Sequence, residues 1–118
     1  MDNQEIINQH LVRIVDLLGE VLAQVKGMDY QTFEANEQVK DTVYENLQEI
    51  GQAADELTRY NTFPEDLQVL ENLINFRGAT YNQATETNHQ MVFGMIENDF
   101  DEIIAIITEH ELYQNRLS

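Results

Sequence analysis

The sequence lacks several of the residues on which the chemistry of small domains depends. Its 118 residues include no cysteine, which excludes disulfide bonds, zinc–thiolate sites, iron–sulfur clusters and thiol catalysis. One proline and five glycines are too few for the many turns of a sheet protein, so helices are favoured. No apolar run approaches the ~20 residues of a membrane span, and the N-terminus resembles no signal peptide. We therefore expect a cytoplasmic protein that does not contact a membrane.

Basic residues are also scarce. The chain has 22 Asp and Glu residues against six Lys and Arg residues, and its formal net charge is -16. This acidity has three interpretations: a solvated shell, a docking face for a basic partner, or a mimic of nucleic acid. A phosphate backbone would be repelled over most of such a surface, so we expect no nucleic-acid binding except at a small local site.

The first half of the chain predicts two long helices joined by a short segment. Apolar residues recur at alternating spacings of 4 and 3 over about residues 3–27, where Gly27 is a typical stop. This row consists of Ile7, Leu11, Ile14, Leu18, Val21 and Val25. A turn or short helical piece is expected at 29–33, and Asn36 is the candidate N-cap of a helix that ends near Arg59. The core row of that helix consists of Val39, Val43, Leu47, Ile50, Ala54 and Leu57.

The second half predicts two further helices. Thr62 and Glu65 form a candidate capping box for the third helix, and Thr87 with Gln90 repeats that pattern for the fourth. The third apolar row consists of Leu67, Leu70, Ile74, Arg77 and Tyr81, which places an arginine on the apolar side. The fourth row consists of Val92, Ile96, Phe100, Ile103 and Ile107. Together the four rows predict one all-α domain over 1–118, an antiparallel up-and-down four-helix bundle.

The histidines do not predict a metal site. His10, His89 and His110 are never paired with one another at i+3 or i+4, and a di-iron bundle would need two Glu-x-x-His pairs where only Glu86 and His89 form one. We expect a helix-capping or solvated role for Glu86 and His89, and a hydrogen-bonded structural role for His10. Gly-rich phosphate loops and nucleophile elbows are also absent from the sequence, so no cofactor is predicted.

Arg77 is the residue that departs most clearly from its pattern. A guanidinium on an apolar face needs a carboxylate partner, or must face a groove or an interface. One interpretation is a structural ion pair within the bundle or across a dimer. The other is a phosphate or nucleotide site, since the guanidinium fork suits phosphate and Tyr81 would lie one turn further on.

Residues 41–54 carry a resemblance to a known family. They read Asp-Thr-Val-Tyr-Glu-Asn-Leu-Gln-Glu-Ile-Gly-Gln-Ala-Ala. This run resembles the second-helix signature of the HepT-like family, in which an aspartate, a valine, an Asn-Leu pair and an Ile-Gly-Glu-Ala stretch follow in this order. Tyr30 and Phe33 fit the short segment that precedes it. The resemblance covers roughly residues 3–112, and it implies a small, commonly homodimeric helical bundle. Many members are ribonuclease toxins paired with a minimal nucleotidyltransferase antitoxin.

The active motif that the resemblance implies is incomplete here. In the family an arginine is followed by four residues, a histidine, one residue and a tyrosine. Arg77 is retained, but Asn82 stands at the histidine position and Ala84 at the tyrosine position. An asparagine cannot act as an acid or base, and Ala84 has no hydroxyl to accept the nucleotidyl group that the family's tyrosine receives from the partner.

Three hypotheses follow for function. The first is a catalytically degenerate HepT-like module that binds a nucleotidyltransferase or a nucleotide near Arg77, Tyr81, Asn82 and His89. The second is an active ribonuclease in which His89 replaces the missing imidazole, and the third is a structural dimer without a ligand. A homodimer is expected because further apolar residues broaden the first and last rows. These residues are Ile6, Leu17, Leu22, Ile104 and Ile106.

Overall fold

The computed structural model describes residues 3–59, 65–78 and 86–114, and the described residues are helical with no strand. The helices are α1 (Asn3–Val25), α2 (Tyr30–Ala35), α3 (Glu37–Thr58), a 3₁₀ segment (Glu65–Gly78), α4 (Glu86–Asn98), α5 (Phe100–Glu109) and α6 (Glu111–Gln114). The all-α prediction is thereby confirmed. None of the described helices is both long enough and apolar enough to cross a membrane.

Helix α1 follows its sequence pattern closely. All six residues of the predicted row are buried, and five of them have no exposed surface. The helix ends at Val25, and Gly27 two residues later has φ +79, a left-handed conformation that only glycine adopts readily. The predicted stop is therefore confirmed within two residues.

Side-chain caps determine where α2 and α3 begin. Asp29 accepts a hydrogen bond from the backbone N–H of Thr32 at 2.8 Å, and this bond holds the pKa of the Asp29 carboxyl below its usual value. Asn36 accepts from the N–H of Val39 at 3.0 Å, so the predicted N-cap of α3 is confirmed. Helix α3 reaches Thr58, with Arg59 as its C-cap.

Helices α1 and α3 pack antiparallel. His10 pairs with Glu56, and Arg13 pairs with Glu49. The residue number increases along α1 from one pair to the next while it decreases along α3, so the two helices run in opposite directions. Beside these surface pairs, the apolar row of α1 packs against the apolar row of α3, and the two rows belong to one core. Along α3 that row is buried from Val43 to Leu57, while Val39 at its start is half-buried. Burial of these rows is the main contribution to stability on this side of the molecule.

The structure has a 3₁₀ segment where the sequence predicted the third α-helix, and this changes which residues are buried. A 3₁₀ helix has three residues per turn, so residues three apart lie directly above one another. The buried side chains are Leu67, Leu70, Leu73 and Phe76. The predicted α-helical row therefore missed Leu73 and Phe76, while Ile74, which it included, is half-buried against the core. The predicted cap at Thr62 lies outside the described residues.

The fourth predicted helix consists of two pieces. Helix α4 ends at Asn98, Asp99 has φ -112, and α5 begins at Phe100, although helical hydrogen bonds continue across the junction. The core row is Phe93, Ile96, Phe100, Ile103 and Ile107, so the predicted row missed Phe93, while Val92, which it included, is half-buried against the core. Helix α5 packs against α1, and α6 returns to the start of α1, where the Asn8 amide donates to the carbonyl of Tyr113 at 3.0 Å.

Candidate functional site

A cluster of four polar side chains lies where α2, α3 and α4 meet, and all of them except Glu34 are buried. It consists of Glu34 in α2, Lys40 and Tyr44 in α3, and His89 in α4, and we call it the α3 polar cluster. Lys40 is 5% exposed and His89 is 6% exposed, and in the described part of the chain no other charged or strongly polar residue is buried to this degree. Buried polar groups need partners, and buried ionisable groups are common at functional sites. The α3 polar cluster is therefore the candidate site.

The helical register of α3 brings two members of the cluster together. Lys40 and Tyr44 are four residues apart, so they lie on one face, directly beside the core row that contains Val43 and Leu47. Gly51 continues the face at the spacing of a helix and is also buried. The α3 polar cluster is therefore an extension of the apolar core toward the first turns of α3.

Tyr44 and His89 form the central contact of the cluster. The Tyr44 hydroxyl and Nδ1 of His89 are hydrogen-bonded at 2.9 Å, and the two rings meet edge to face with centroids 5.5 Å apart. Tyr44 is only 3% exposed. This bond joins residues 45 positions apart in the chain and so links α3 to the start of α4.

Lys40 supplies a positive charge beside this pair. Its Nζ atom lies 3.9 Å from Oε1 of Glu34, whose side chain is 46% exposed. The carboxylate therefore faces water on one side and the lysine on the other. A buried ammonium with a partner at this distance is stabilised only in part by that partner.

Both titratable rings of the cluster are held in their neutral forms. Burial raises the pKa of Tyr44 to about 12, and Tyr30 adds to this rise. Burial also lowers the pKa of His89, the charge of Lys40 lowers it further, and Glu34 opposes them. At neutral pH the contact is therefore between an uncharged phenol and an uncharged imidazole.

An aromatic group closes the side of the cluster that faces α2. The Phe93 ring lies 5.1 Å from the ring of Phe33 and 6.0 Å from that of Tyr30. Phe33 is fully buried and Phe93 is 5% exposed. Phe93 follows His89 by four residues in α4, so these rings pack on the same face of α4 as the imidazole.

The structure differs from the sequence analysis on His89 and agrees on His10. The expected solvated role of His89 was wrong, because the imidazole is buried and bonded to Tyr44. The structural role of His10 is confirmed: Nδ1 donates to the carbonyl of Ile6 at 2.9 Å, and Nε2 lies 2.7 Å from Glu56.

The positions of the incomplete motif are described only in part. The backbone of Arg77 lies within the 3₁₀ segment, directly after the buried Phe76, and its side chain is outside the described set. Tyr81, Asn82 and Ala84 lie outside the described residues. Of the predicted ligand-binding residues, the structure therefore places the side chain of His89.

Lys40 and Tyr44 were missed by the sequence analysis. A signal was present, because Lys40, Tyr44, Leu47 and Gly51 recur at spacings of 4, 3 and 4, and this set meets the predicted α3 row at Leu47. A row that continues through Leu47 marks Tyr44 as a candidate for burial. The row does not predict that His89 of α4 lies against Tyr44.

The residues of the HepT-like resemblance have mainly a packing role in α3. Val43, Leu47, Ile50 and Ala54 have no exposed surface, whereas Asp41 is exposed. Compared with protein-family models, with curated proteins and with solved structures, the chain shows no match. The described residues also contain no group of three or more His, Cys, Asp or Glu side chains placed to hold a metal ion.

Proposed function

We propose that this chain is a non-catalytic binding module with a HepT-like scaffold: an up-and-down four-helix bundle that forms a homodimer and binds a minimal nucleotidyltransferase or a nucleotide. The observation that carries the proposal is the burial of His89. It is the imidazole nearest to the incomplete motif along the chain, and it is held by Tyr44 inside the α3 polar cluster.

The chemistry of RNA cleavage supports this proposal. Attack by the 2′-hydroxyl needs a group that exchanges a proton with it, at hydrogen-bond distance from the reacting atom. Asn82 cannot do this, and His89 is 6% exposed with Nδ1 engaged by Tyr44. The scaffold then keeps Arg77, a residue suited to binding a phosphate, without a proton-transfer partner.

Charge is a second, independent support. A protein that cleaves RNA uses a basic surface to hold the phosphate backbone, and the strength of that contact depends on the number of cations. This chain has six Lys and Arg residues, of which Arg13, Lys40 and Arg59 each lie within 4 Å of a carboxylate. A net charge of -16 favours proteins or small ligands over RNA.

A ribonuclease that uses Arg77 with His89 is the second candidate. The observation that favours it is the lowered pKa of His89, caused first by burial and then by the charge of Lys40, which keeps the imidazole in the form that can accept a proton. Under this hypothesis His89→Ala abolishes RNA cleavage while His10→Ala does not. Unchanged growth of cells that express the wild-type chain would count against it.

An RNA-cleavage assay with a restored variant tests the proposal. The wild-type protein is compared with Asn82→His/Ala84→Tyr, which completes the family's motif. We expect no cleavage by the wild type and measurable cleavage by the restored variant. Cleavage by the wild type that disappears in Arg77→Ala would overturn the proposal and favour the second candidate.

Calorimetric titration with a nucleoside triphosphate tests the binding role. We expect binding by the wild type and weaker binding by Arg77→Ala, because the guanidinium is the group suited to phosphate. If neither a nucleotide nor a co-expressed minimal nucleotidyltransferase binds, the structural dimer without a ligand becomes the better interpretation.

A further inference from the structure

Helix α1 carries a second row of residues beside its core row. The row consists of Asn8, Val12, Val15, Gly19 and Leu22, at spacings of 4, 3, 4 and 3, and every member is half-buried. We call it the α1 side row. It contains no charged residue over its whole length, in a chain with 22 acidic residues.

Leu22, the last residue of the α1 side row, lines a groove between the end of α1 and the junction of α4 with α5. At the end of α1 this groove has a volume of about 540 Å³, with Leu22, Val25, Met28 and Ile96 among its apolar lining. Its charged lining residues are Lys26, Glu97 and Asp101. The groove thus combines an apolar floor with charges of both signs.

Lys26 differs from the other basic side chains that the structure describes. Arg13, Lys40 and Arg59 each lie within 4 Å of a carboxylate, whereas Lys26 has no ion pair with any described residue. Yet Glu97 and Asp101 line the same groove. A cation and two carboxylates that form no ion pair with the described residues of their own chain can pair between two copies of it.

Gly19 leaves room in the middle of the α1 side row. In the described part of the chain, a Cβ atom at Gly19 would meet nothing within 4 Å. Glycine is a poor residue for the interior of a helix, and packing against the described residues gives no reason for it here. A missing side chain on an open face allows the backbone of a second helix to approach closely.

We propose that the α1 side row and its groove are the surface on which a second copy of this chain packs about a two-fold axis. Lys26 of each subunit then faces the Glu97 and Asp101 positions of the other copy, and the two-fold axis makes the contact twice. This inference rests on the homodimer of the proposed function and names its surface.

Charge also favours a second copy over a basic partner protein. Two chains of charge -16 repel each other, so they approach where acidic side chains are few or face a cation: the α1 side row has none, and Glu97 and Asp101 of the groove face Lys26 of the other copy. A basic partner would be attracted to the acidic faces instead. The apolar positions Val12, Val15 and Leu22 then supply the burial that holds the two copies together.

Two substitutions to methionine give a matched test of the surface by sedimentation velocity. Gly19→Met fills the open space at the proposed interface, and Gln52→Met places the same side chain on the exposed face of α3, beside His10 and Arg13 and away from the α1 side row. We expect Gly19→Met to raise the dimer dissociation constant about tenfold or more, and Gln52→Met to leave it unchanged. The inference would be overturned if Gln52→Met alone weakened the dimer, if both variants weakened it, or if neither did.

Mixing two charge variants tests the paired contact. Lys26→Asp alone brings three acids together, and Asp101→Lys alone brings two lysines together, so each variant should dimerise more weakly than the wild type. In an equimolar mixture the substituted position 26 of one chain, now acidic, would face the substituted position 101 of the other, now basic. At the second contact of the same dimer, the unchanged Lys26 and Asp101 would pair as well.

The two variants should therefore form mixed dimers more tightly than either variant forms a homodimer. Native mass spectrometry measures the proportions of mixed dimer and homodimer directly. A contact within one chain could not produce this preference, and its absence would contradict the paired contact.

The outcomes separate this inference from the homodimer on which it rests. A wild-type chain that sediments as a monomer at every accessible concentration would overturn the homodimer itself. A stable wild-type dimer that ignores Gly19→Met and the charge variants would leave the homodimer intact and overturn only the surface named here. The RNA-cleavage assay is independent of both results.

Discussion

The two histidines that contact α3 lie in opposite surroundings. His10 bonds to Glu56 near the end of α3, at a surface where the carboxylate side chain is 48% exposed. His89 bonds to Tyr44 near the start of α3, where the imidazole is 6% exposed. Both hydrogen bonds are short, at 2.7 and 2.9 Å. The two bonds differ in their exposure to water, and therefore in how far the free energy of unfolding would fall if each were lost.

This difference shows that hydrogen-bond length alone does not measure a contribution to stability. At the His10 site water can replace either partner, so the net gain from the bond is small. At the His89 site a lost partner leaves a polar atom buried without its bond, which costs the desolvation of that atom. The α3 polar cluster should therefore respond to substitution far more strongly than the surface pair.

Tyr44→Ala should produce the largest effect. It removes a ring that is 3% exposed, together with the bond to His89. We expect a loss of about 3–5 kcal/mol in the free energy of unfolding, as for other buried aromatic residues replaced by alanine. Urea denaturation followed by circular dichroism measures it, and a loss below about 1 kcal/mol would show that the cluster is not a packed part of the core.

Tyr44→Phe isolates the hydrogen bond from the ring. The packing volume is nearly unchanged, but Nδ1 of His89 loses its contact with the hydroxyl. We expect the free energy of unfolding to fall by about 1–2 kcal/mol in the same denaturation experiment. Stability equal to that of the wild type would mean that water replaces the hydroxyl, and that the site is wetter than its burial indicates.

The pH dependence of stability should report the pKa of His89. Because that pKa is lowered in the folded state, the unfolded chain takes up a proton first as the pH falls below about 6.5. The stability due to the neutral imidazole is then present above this pH and is lost as the pH falls toward the folded-state value. His89→Gln should remove this part of the slope between about pH 7 and 5, as measured by denaturation at several pH values. An unchanged slope would contradict the lowered pKa.

His10→Ala should produce the smallest effect. Its bond to Glu56 lies at the surface, so we expect a loss of about 1 kcal/mol or less in the free energy of unfolding. Glu56→Gln is the matched variant from the other side of the contact. If His10→Ala lowered the free energy of unfolding as much as Tyr44→Phe does, the expected difference between the surface bond and the buried bond would be contradicted.

The part of the fold that could be predicted from sequence is the part governed by contacts close in the chain. The row of α1 and the Asn36 cap of α3 depend on residues three or four positions apart, which the sequence presents directly. The 3₁₀ segment was mistaken for an α-helix because Leu67 and Leu70 suit both periods, and only Leu73 and Phe76 distinguish them. The break at Asp99 carried no proline or glycine signal.

The candidate site could be predicted only in its separate parts. The sequence determined that helices form, that their apolar rows are buried, and that Asn82 and Ala84 interrupt the resembled motif, because each depends on residue identity and short spacing. Only the tertiary structure decided that His89 lies against Tyr44 with Lys40 beside it. That contact spans 45 residues and depends on how α4 packs on α3, which local spacing does not specify.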